Sequence, residues 1–512
     1  MFLSQVWALL WSMTGSPQIS RRGLLTGLAA GLASPALANA PGRSPFPKPR
    51  PGDGMRRALP ATADLVARAN VRGATSVALI DLESNMLLDG FAPALRLPPA
   101  STTKALTALY ALRTLGPSHR FVTQLLRTGP IEGGVLKGDL ILAGGGDPTL
   151  DTDALAELAR SLSDAGVTAV SGNFYHDGTA LPSIASIDPG QPDHLGYNPA
   201  IAGLNLNFNR VYFEWKREDG NYAVSMDARS GTLRPRVRVS SMSVQPRQAP
   251  IYTYERREGR DHWTVARGAL GREGGRWLPV REPEAYAADV FRTLAGQTGI
   301  SLKPSQPLPA DLPSATSLSA LNSAALPQIL RGMLKYSTNL TAECVGLSAT
   351  QALGARPETL AASGRSMASW YAAQMPYPAE MTFSDHSGLT DSTRISSRDL
   401  ATALAQRGAI TELGPLLKPV TLRDRQGNQL SDYPTAIFAK TGTLNFVSAL
   451  GGYIVPPSGK RYAFCIMSAD LDRRALLTRA QRDRPEGARP WARRARKLQN
   501  DLLLNWTRGL LT

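Results

Sequence analysis

Three short motifs could do chemistry together: Ser101-Thr102-Thr103-Lys104, Ser337-Thr338-Asn339 and Lys440-Thr441-Gly442-Thr443. A serine hydroxyl is a poor nucleophile until a base removes its proton. Lys104 stands one helical turn after Ser101, so its amine falls on the face that carries the hydroxyl. A lysine serves as that base when burial and neighbouring cations lower its pKa. Ser337 could relay a proton to a leaving amine, and the Asn339 amide could hold a substrate carbonyl. Lys440 and the Thr441 hydroxyl could anchor a carboxylate, while Gly442 lets a substrate backbone approach. The N–H groups of Ser101 and Thr443 could frame an oxyanion. Together they amount to serine acyl transfer on a substrate that ends in a carboxylate. Each motif also has a plainer reading: a capping serine with a solvated lysine, a polar turn, a lysine guarding a strand edge. A serine three residues before a lysine turns up by chance about once in a chain of this size. Order and structural placement carry the signal.

The elements around the motifs suit that chemistry. Thr75–Leu82 and Met86–Leu88 read as two strands joined around Glu83-Ser84-Asn85. Pro98-Pro99-Ala100 stops extended structure, and a helix starts at Ser101 with Leu106, Leu109, Tyr110 and Leu112 on its apolar side. Helical patterns cover 326–336 and 340–349, leaving Ser337 and Asn339 between them. Ile437–Leu444, Ala449–Val455 and Arg461–Met467 read as an antiparallel meander. Strands at both ends with helices between predict an α+β domain closed by its own C-terminus. The stretch between the first two motifs is far too long for a loop. It holds a helix–strand unit over 153–175 and alternating runs: Leu204, Leu206, Phe208; Val211, Phe213, Trp215; Val237 and Val239; then 251–254. It is read as a strand-rich insertion. No internal repeat is visible.

Composition bounds the rest. The chain has 512 residues, 43% of them hydrophobic and 19% charged, which is globular rather than disordered. Cys344 and Cys465 cannot build a disulfide framework and read as two buried free thiols. The five histidines show no metal spacing, so no metal or cofactor is expected. The net charge is +16, densest over 479–497. Aromatics do not interleave these charges, so nucleic acid is not the expected partner. A solvated basic terminal helix near an anionic membrane or cell-wall surface is. Ser20-Arg21-Arg22-Gly23-Leu24-Leu25 resembles a twin-arginine export signal, with Ala-x-Ala cleavage candidates at 36–38 and 38–40. Residues 1–12 are unusual for such a signal, which makes Met13 an alternative start to Met1. Residues 41–60 read as a linker rich in Pro, Gly, Arg and Lys. The mature chain is expected to be periplasmic or otherwise extracytoplasmic.

The motif set resembles the class C low-molecular-mass penicillin-binding proteins, the D-alanyl-D-alanine carboxypeptidase/endopeptidase family that includes penicillin-binding protein 4. The long insertion after the Ser/Lys motif resembles that family, as do Gly144-Gly145-Gly146-Asp147-Pro148-Thr149-Leu150, Tyr197-Asn198-Pro199, Ser387-Gly388-Leu389 and 439–444. The resemblance implies a serine β-lactamase/transpeptidase-like core formed by 61–122 and 319–512. It implies inserted domains over 123–318, a smaller one nested near 150–195. It also implies a Ser101 acyl-enzyme that hydrolyses peptidoglycan stem peptides or crosslinks and is acylated by β-lactams. Arg394 falls where the family has an arginine for a substrate side-chain carboxylate, and Asp193 and Tyr197 are candidates from the insert. The chain departs from the family at His386, which replaces a glycine, and at Gly190-Gln191, where an aromatic residue is expected.

Two other readings are weighed. A β-lactamase uses the same motifs, but the class A Glu-x-x-Leu-Asn segment is missing here. A weakly catalytic cell-wall binding protein would work through the insert and the basic surface; intact motifs argue against it. A Ser-His-Asp hydrolase lacks its Gly-x-Ser-x-Gly elbow.

Overall fold

Strands buried on both faces read as continuous apolar runs, and the C-terminal meander shows what covers each face. The computed structural model describes residues 59–510. The expected export signal at 1–40 and nearly all of the expected linker at 41–60 therefore lie outside the described residues.

Helix α1 (Thr62–Ala69) precedes strands β1 (Ala74–Asp81) and β2 (Leu87–Phe91), then helix α2 (Thr103–Thr114). The insertion begins with β3 (Val122–Arg127), β4 (Leu140–Gly144), helix α3 (Thr152–Asp164) and β5 (Phe174–Asp177). It continues with β6 (Arg210–Glu218), β7 (Asn221–Asp227), β8 (Ser240–Gln245), β9 (Tyr252–Arg257), β10 (Arg260–Ala266) and β11 (Glu273–Pro279). Helix α4 (Pro283–Gln297), β12 (Gln306–Pro307) and β13 (Thr316–Asn322) close it. Then come helices α5 (Leu326–Tyr336), α6 (Asn339–Ala352), α7 (Leu360–Ala372) and α8 (Ser397–Ala405). Strands β14 (Lys418–Pro419), β15 (Ala436–Leu444), β16 (Val447–Val455) and β17 (Tyr462–Ala469) lead to helix α9 (Ala488–Leu510).

The two ends of the chain share one antiparallel sheet, in the order β14-β15-β16-β17-β1-β2. Its side chains alternate between two cores, as the two-residue period of a strand requires. Ala463, Cys465 and Met467 of β17 join α2, α5 and α8 on one face. Tyr462, Phe464 and Ile466 pack with Leu498, Leu502, Leu503 and Trp506 of α9 on the other. The cations of α9, Arg493, Arg494, Arg496 and Lys497, stay exposed. Both cysteines are buried and free. Among the described residues no helix is long and apolar enough to cross a membrane.

The insertion has its own core over 125–302. Its first and last strands meet in a five-stranded sheet, β12-β5-β4-β3-β13, so the chain leaves the insertion beside where it entered. Residues 150–177 supply α3 and β5 to that sheet's unit. Three three-stranded sheets complete it: β7-β6-β11, β8-β10-β9 and a small one of two-residue strands at 131–132, 135–136 and 169–170. Two sequence expectations are corrected. Leu204, Leu206 and Phe208 do not form a strand: residues 207–209 make a 3₁₀ turn, and all three have positive φ. The asparagines interleaved with them decide this, because asparagine tolerates the left-handed region and its amide bonds nearby backbone. Asn205 and Asn209 do so at the Ala202 and Ala200 carbonyls. Val237 and Val239 likewise precede β8 rather than belonging to it.

Candidate active site

Ser101 does not open the α-helix directly. It lies in a 3₁₀ turn, 100–102, after Pro98-Pro99, and Ala100 is held at φ 48°. The Thr102 and Thr103 hydroxyls tie the turn by donating to the Pro99 and Ala100 carbonyls at 2.6 and 2.9 Å. Helix α2 then runs through the middle of the core, with every residue from Thr103 to Leu112 buried. Lys104 is 0% exposed.

A buried ammonium must satisfy three hydrogens, and three acceptors surround Lys104 Nζ. They are Ser101 Oγ at 3.1 Å, Asn339 Oδ1 at 2.7 Å and the Ser387 carbonyl at 2.7 Å. The Asn339 Nδ2 donates to the Tyr197 carbonyl at 2.8 Å, which fixes its amide with the oxygen toward the lysine. A neutral Lys104 keeps two hydrogens. The two carbonyl-type oxygens can only accept, so they take both, and the lone pair is left facing the Ser101 hydroxyl. Burial and then the Lys440 cation lower the Lys104 pKa to about 7, while Glu343 and Asp385 oppose the shift.

The second and third motifs meet in the same way. Ser337 caps α5 in the left-handed region (φ 59°), Thr338 turns the chain, and Asn339 begins α6. Lys440 of β15 donates to Ser337 Oγ at 3.1 Å and to its neighbour's carbonyl at 2.7 Å. Burial, with Lys418 nearby, lowers the Lys440 pKa to about 8. β14 and the Val420 that follows it cover β15 at 437–439, so from Lys440 to Leu444 that edge is open among the described residues. A Cβ on Gly442 would stand 2.5 Å from the Pro99 carbonyl and 3.1 Å from the Ser101 nitrogen. Strand and nucleophile turn are in contact, and only glycine permits it. Thr441 and Thr443 are exposed along this edge.

A buried loop, 385–388, completes the centre and was not singled out for chemistry by sequence. Glu343 of α6 accepts the His386 and Ser387 N–H groups, each at 2.9 Å. Asp385 accepts from the Gly388 and Thr390 N–H groups at 2.5 and 2.7 Å. Burial pushes Glu343 up to about 8 and raises Asp385, with the neighbouring Lys104 opposing both. Gly388 has φ 71°, and a Cβ there would collide with the Ala100 carbonyl. Thr107 clamps the loop by donating to the His386 carbonyl at 2.7 Å. One signal could have found Glu343: it is the sole charged residue in a 14-residue helix.

The three remaining candidates lie apart from this centre. Tyr197 reaches it only through its backbone carbonyl, and the residue is 46% exposed. Asp193 is engaged by Arg479 at 2.6 and 3.1 Å, and its carbonyl accepts from Arg281. Arg394 is half-buried beside Asp391, Arg474 and Arg96, and burial lowers its pKa. Arg474, absent from the sequence reading, is 3% exposed and holds Asp391 at 2.7 Å.

The fold and this constellation define a penicillin-binding, transpeptidase-like protein. The chain belongs to the D-Ala-D-Ala carboxypeptidase 3 (S13) family, whose model matches residues 63–485. It is 27% identical over 410 residues to a D-alanyl-D-alanine carboxypeptidase of Actinomadura sp. (strain R39), covering 73% of each chain. Its fold is similar to the crystal structure of penicillin binding protein 4 from Haemophilus influenzae: TM-score 0.69, 21% identity, 86% of this chain and 99% of that one. The same protein complexed with a β-lactam gives a TM-score of 0.67 at 21% identity, with the same coverage. The expected family, α+β transpeptidase-like fold and serine D-Ala-D-Ala carboxypeptidase class all hold.

The family departure at His386 has a structural counterpart. The imidazole is fully buried, its Nε2 lies 2.7 Å from Ser363 Oγ, and burial pushes its pKa down to about 3. It occupies the space where a Cβ on Gly346 of α6 would fall. Gly346→Ala is expected to lower stability by roughly 1–3 kcal/mol through overpacking. His386→Gly should recover part of that loss in the double variant. Urea unfolding of the four proteins measures the coupling, and simple additivity would exclude it.

Proposed function

We propose that Ser101 is the nucleophile, neutral Lys104 its base, and Ser337 with Lys440 the route by which the proton reaches the leaving amine. Ser101 Oγ bonds to the carbonyl carbon between two D-alanines of a peptidoglycan stem peptide, with charge on its oxygen held by the Ser101 and Thr443 N–H groups. The C–N bond breaks, the proton taken by Lys104 passes to the nitrogen, and D-alanine leaves. Water then reverses the sequence at the ester and frees Ser101. Asn339 orients the base and the substrate amide, Lys440 and Thr441 anchor the terminal carboxylate, and Gly442 leaves room for the peptide. The observation that carries this reading is the set of partners around Lys104 Nζ: two oxygens that can only accept, at 2.7 Å each, and the Ser101 hydroxyl at 3.1 Å. A β-lactam places a carboxylate and a reactive carbonyl in the same frame, and we propose that it acylates Ser101.

On this reading residues 61–122 and 319–512 act as the catalytic unit and 123–318 as its accessory. Export by the twin-arginine-like segment would place the enzyme in the periplasm, where its substrate is. The exposed cations of the 479–497 run that do not line a groove, Arg494 among them, are proposed to lie toward an anionic wall or membrane surface, with no nucleic acid as partner. Arg394 is proposed to meet a side-chain carboxylate of the acyl donor, with Tyr197 and Asp193 holding the insert's side of the opening.

Three outcomes check the proposal. Intact mass after incubation with a penicillin should show one stable adduct on the wild type and none on Ser101→Ala. Lys104→Ala should keep its fold and lose acylation by at least about a hundredfold, as expected for a missing general base. A normal adduct on Ser101→Ala would end the assignment.

The pH profile follows from the two lysines. Lys104 must be neutral, so activity is lost as pH falls through about 7. Lys440 must be charged, so carboxylate anchoring is lost as pH rises through about 8. kcat/KM for a D-Ala-D-Ala peptide should therefore be a narrow bell; a flat profile from pH 5.5 to 9.5 would refute both roles. Arg394→Ala should slow peptides carrying a diaminopimelate carboxylate more than those with a neutral third residue. Equal slowing of both would remove its role.

A further inference from the structure

Beyond Lys440 the open edge of β15 does not end at solvent. It continues into a groove of about 780 Å³ between the 418–427 segment and helix α9, with Ser337, Lys440 and Thr441 at its inner end. That volume is in the range of ligand clefts. Its floor is apolar, made by Leu334, Ala439, Leu450 and Leu503. Its walls are cationic: Lys418, Arg423 and Arg425 on one side, Arg493 and Arg496 on the other. Arg493 and Arg496 are three residues apart on α9 and share a face.

The walls are built rather than loose. The Arg423 backbone N–H donates to Asn500 Oδ1 at 2.8 Å, and Asn500 Nδ2 donates back to the Arg423 carbonyl at 2.9 Å. This reciprocal pair ties the 418–427 segment to α9. Gln499 fixes α9 to the sheet through Ser448 at 3.1 Å. The positive charge is also uncompensated. Two carboxylates line the groove, Asp424 and Asp501, and Asp501 is already paired with Lys497 at 2.6 Å. Among the described residues, Lys418, Arg423, Arg425, Arg493 and Arg496 have no carboxylate within ion-pair distance. A concave surface lined by one sign of charge concentrates field and draws in the opposite charge.

The position says which part of a substrate would enter. On the acyl-transfer reading above, on which this inference rests, Lys440 and Thr441 hold the carboxylate on the leaving side of the scissile bond. A free D-alanine leaving group carries that one carboxylate and extends no further. A crosslinked leaving group is a whole second stem peptide with additional carboxylates. We propose that this groove is a subsite for the leaving strand of crosslinked peptides, with Arg493, Arg496, Arg423, Arg425 and Lys418 receiving its distal carboxylates. It is thereby a determinant of endopeptidase over carboxypeptidase activity. A flat anionic surface is the competing occupant, but a groove continuous with Lys440 and closed by Asn500 fits a single peptide better.

The test is the double charge reversal Arg493→Glu/Arg496→Glu in the purified protein, with wild type alongside. Three rates are compared at low and at physiological salt: cleavage of a crosslinked muropeptide dimer, D-alanine release from the uncrosslinked pentapeptide, and acylation by a penicillin. The expected result is a fall of about tenfold in kcat/KM for the dimer, larger at low salt, with the other two within about twofold. Equal loss on dimer and pentapeptide, or no loss on either, overturns the subsite. So does an unchanged dimer rate when the variant has lost binding to phosphatidylglycerol vesicles that the wild type shows, for then the groove serves a surface. Penicillin acylation reports that the variant is folded. Absence of acylation and of D-alanine release in the wild type would instead overturn the acyl-transfer reading, so the two failures are distinct.

Discussion

The contact on which the rest depends is a buried amine with a carbonyl-type oxygen on each of two sides and a serine on the third. An isolated ammonium in an apolar interior is too costly to persist, so it either finds partners or loses its proton. Lys104 is held between those outcomes. Asn339 and Ser387 supply enough acceptors to keep it inside, Lys440 presses it toward neutrality, and Glu343 and Asp385 limit how far. These groups come from four separate stretches of chain. The fold must therefore bring residues 101–107, 337–343, 385–388 and 440 to one point before any chemistry exists. The central sheet does this by pairing β1 with β17, so that both ends of the chain clamp the helices between them.

The insertion is coupled to that point rather than merely attached near it. The Tyr197 carbonyl takes the amide hydrogen of Asn339 and so fixes which end of that amide meets the lysine. A small apolar cluster joins Leu181, Ile187 and Ile201 of the insertion to Leu340, Cys344 and Leu347 of α6. The helix that carries Asn339 is thus packed from both sides. A shift of the insertion would move Asn339 and rotate an acceptor away from Lys104. An accessory domain that were only a tether for the cell wall would not need to touch the second motif.

The parts legible in sequence were those whose geometry is local. Ser101 and Lys104 are one turn apart, so their proximity follows from helical spacing. The meander around Lys440 follows from strand alternation, and the buried thiols from apolar surroundings. What sequence could not show was what arrives from far away. Ser387 and Glu343 meet only because a loop folds over α2 and α6, and Gly346 is needed only because His386 fills the space above it. At 204–209 the alternation itself misled: leucine and asparagine in turn have a strand's period, but the asparagines satisfy the backbone locally and favour positive φ. The period was right and the residue type outweighed it.

Charge balance gives the last step. A net charge of +16 read as a general attraction to anionic surroundings. The structure divides that excess into groups with different constraints. Arg474 and Arg479 are held by Asp391 and Asp193 and work as internal ties. Lys104 and Lys440 are buried, and burial lowers the pKa of each. Arg493 and Arg496 are neither paired nor buried, yet they face the continuation of the substrate edge. Their repulsion toward Lys418 and Arg425 is an energetic cost in the empty enzyme, and no ion pair among the described residues relieves it. An anionic segment lying along that edge would. The uncompensated charge sits beside the group proposed to hold the substrate's terminal carboxylate, which is where a longer, more acidic leaving strand would have to pass.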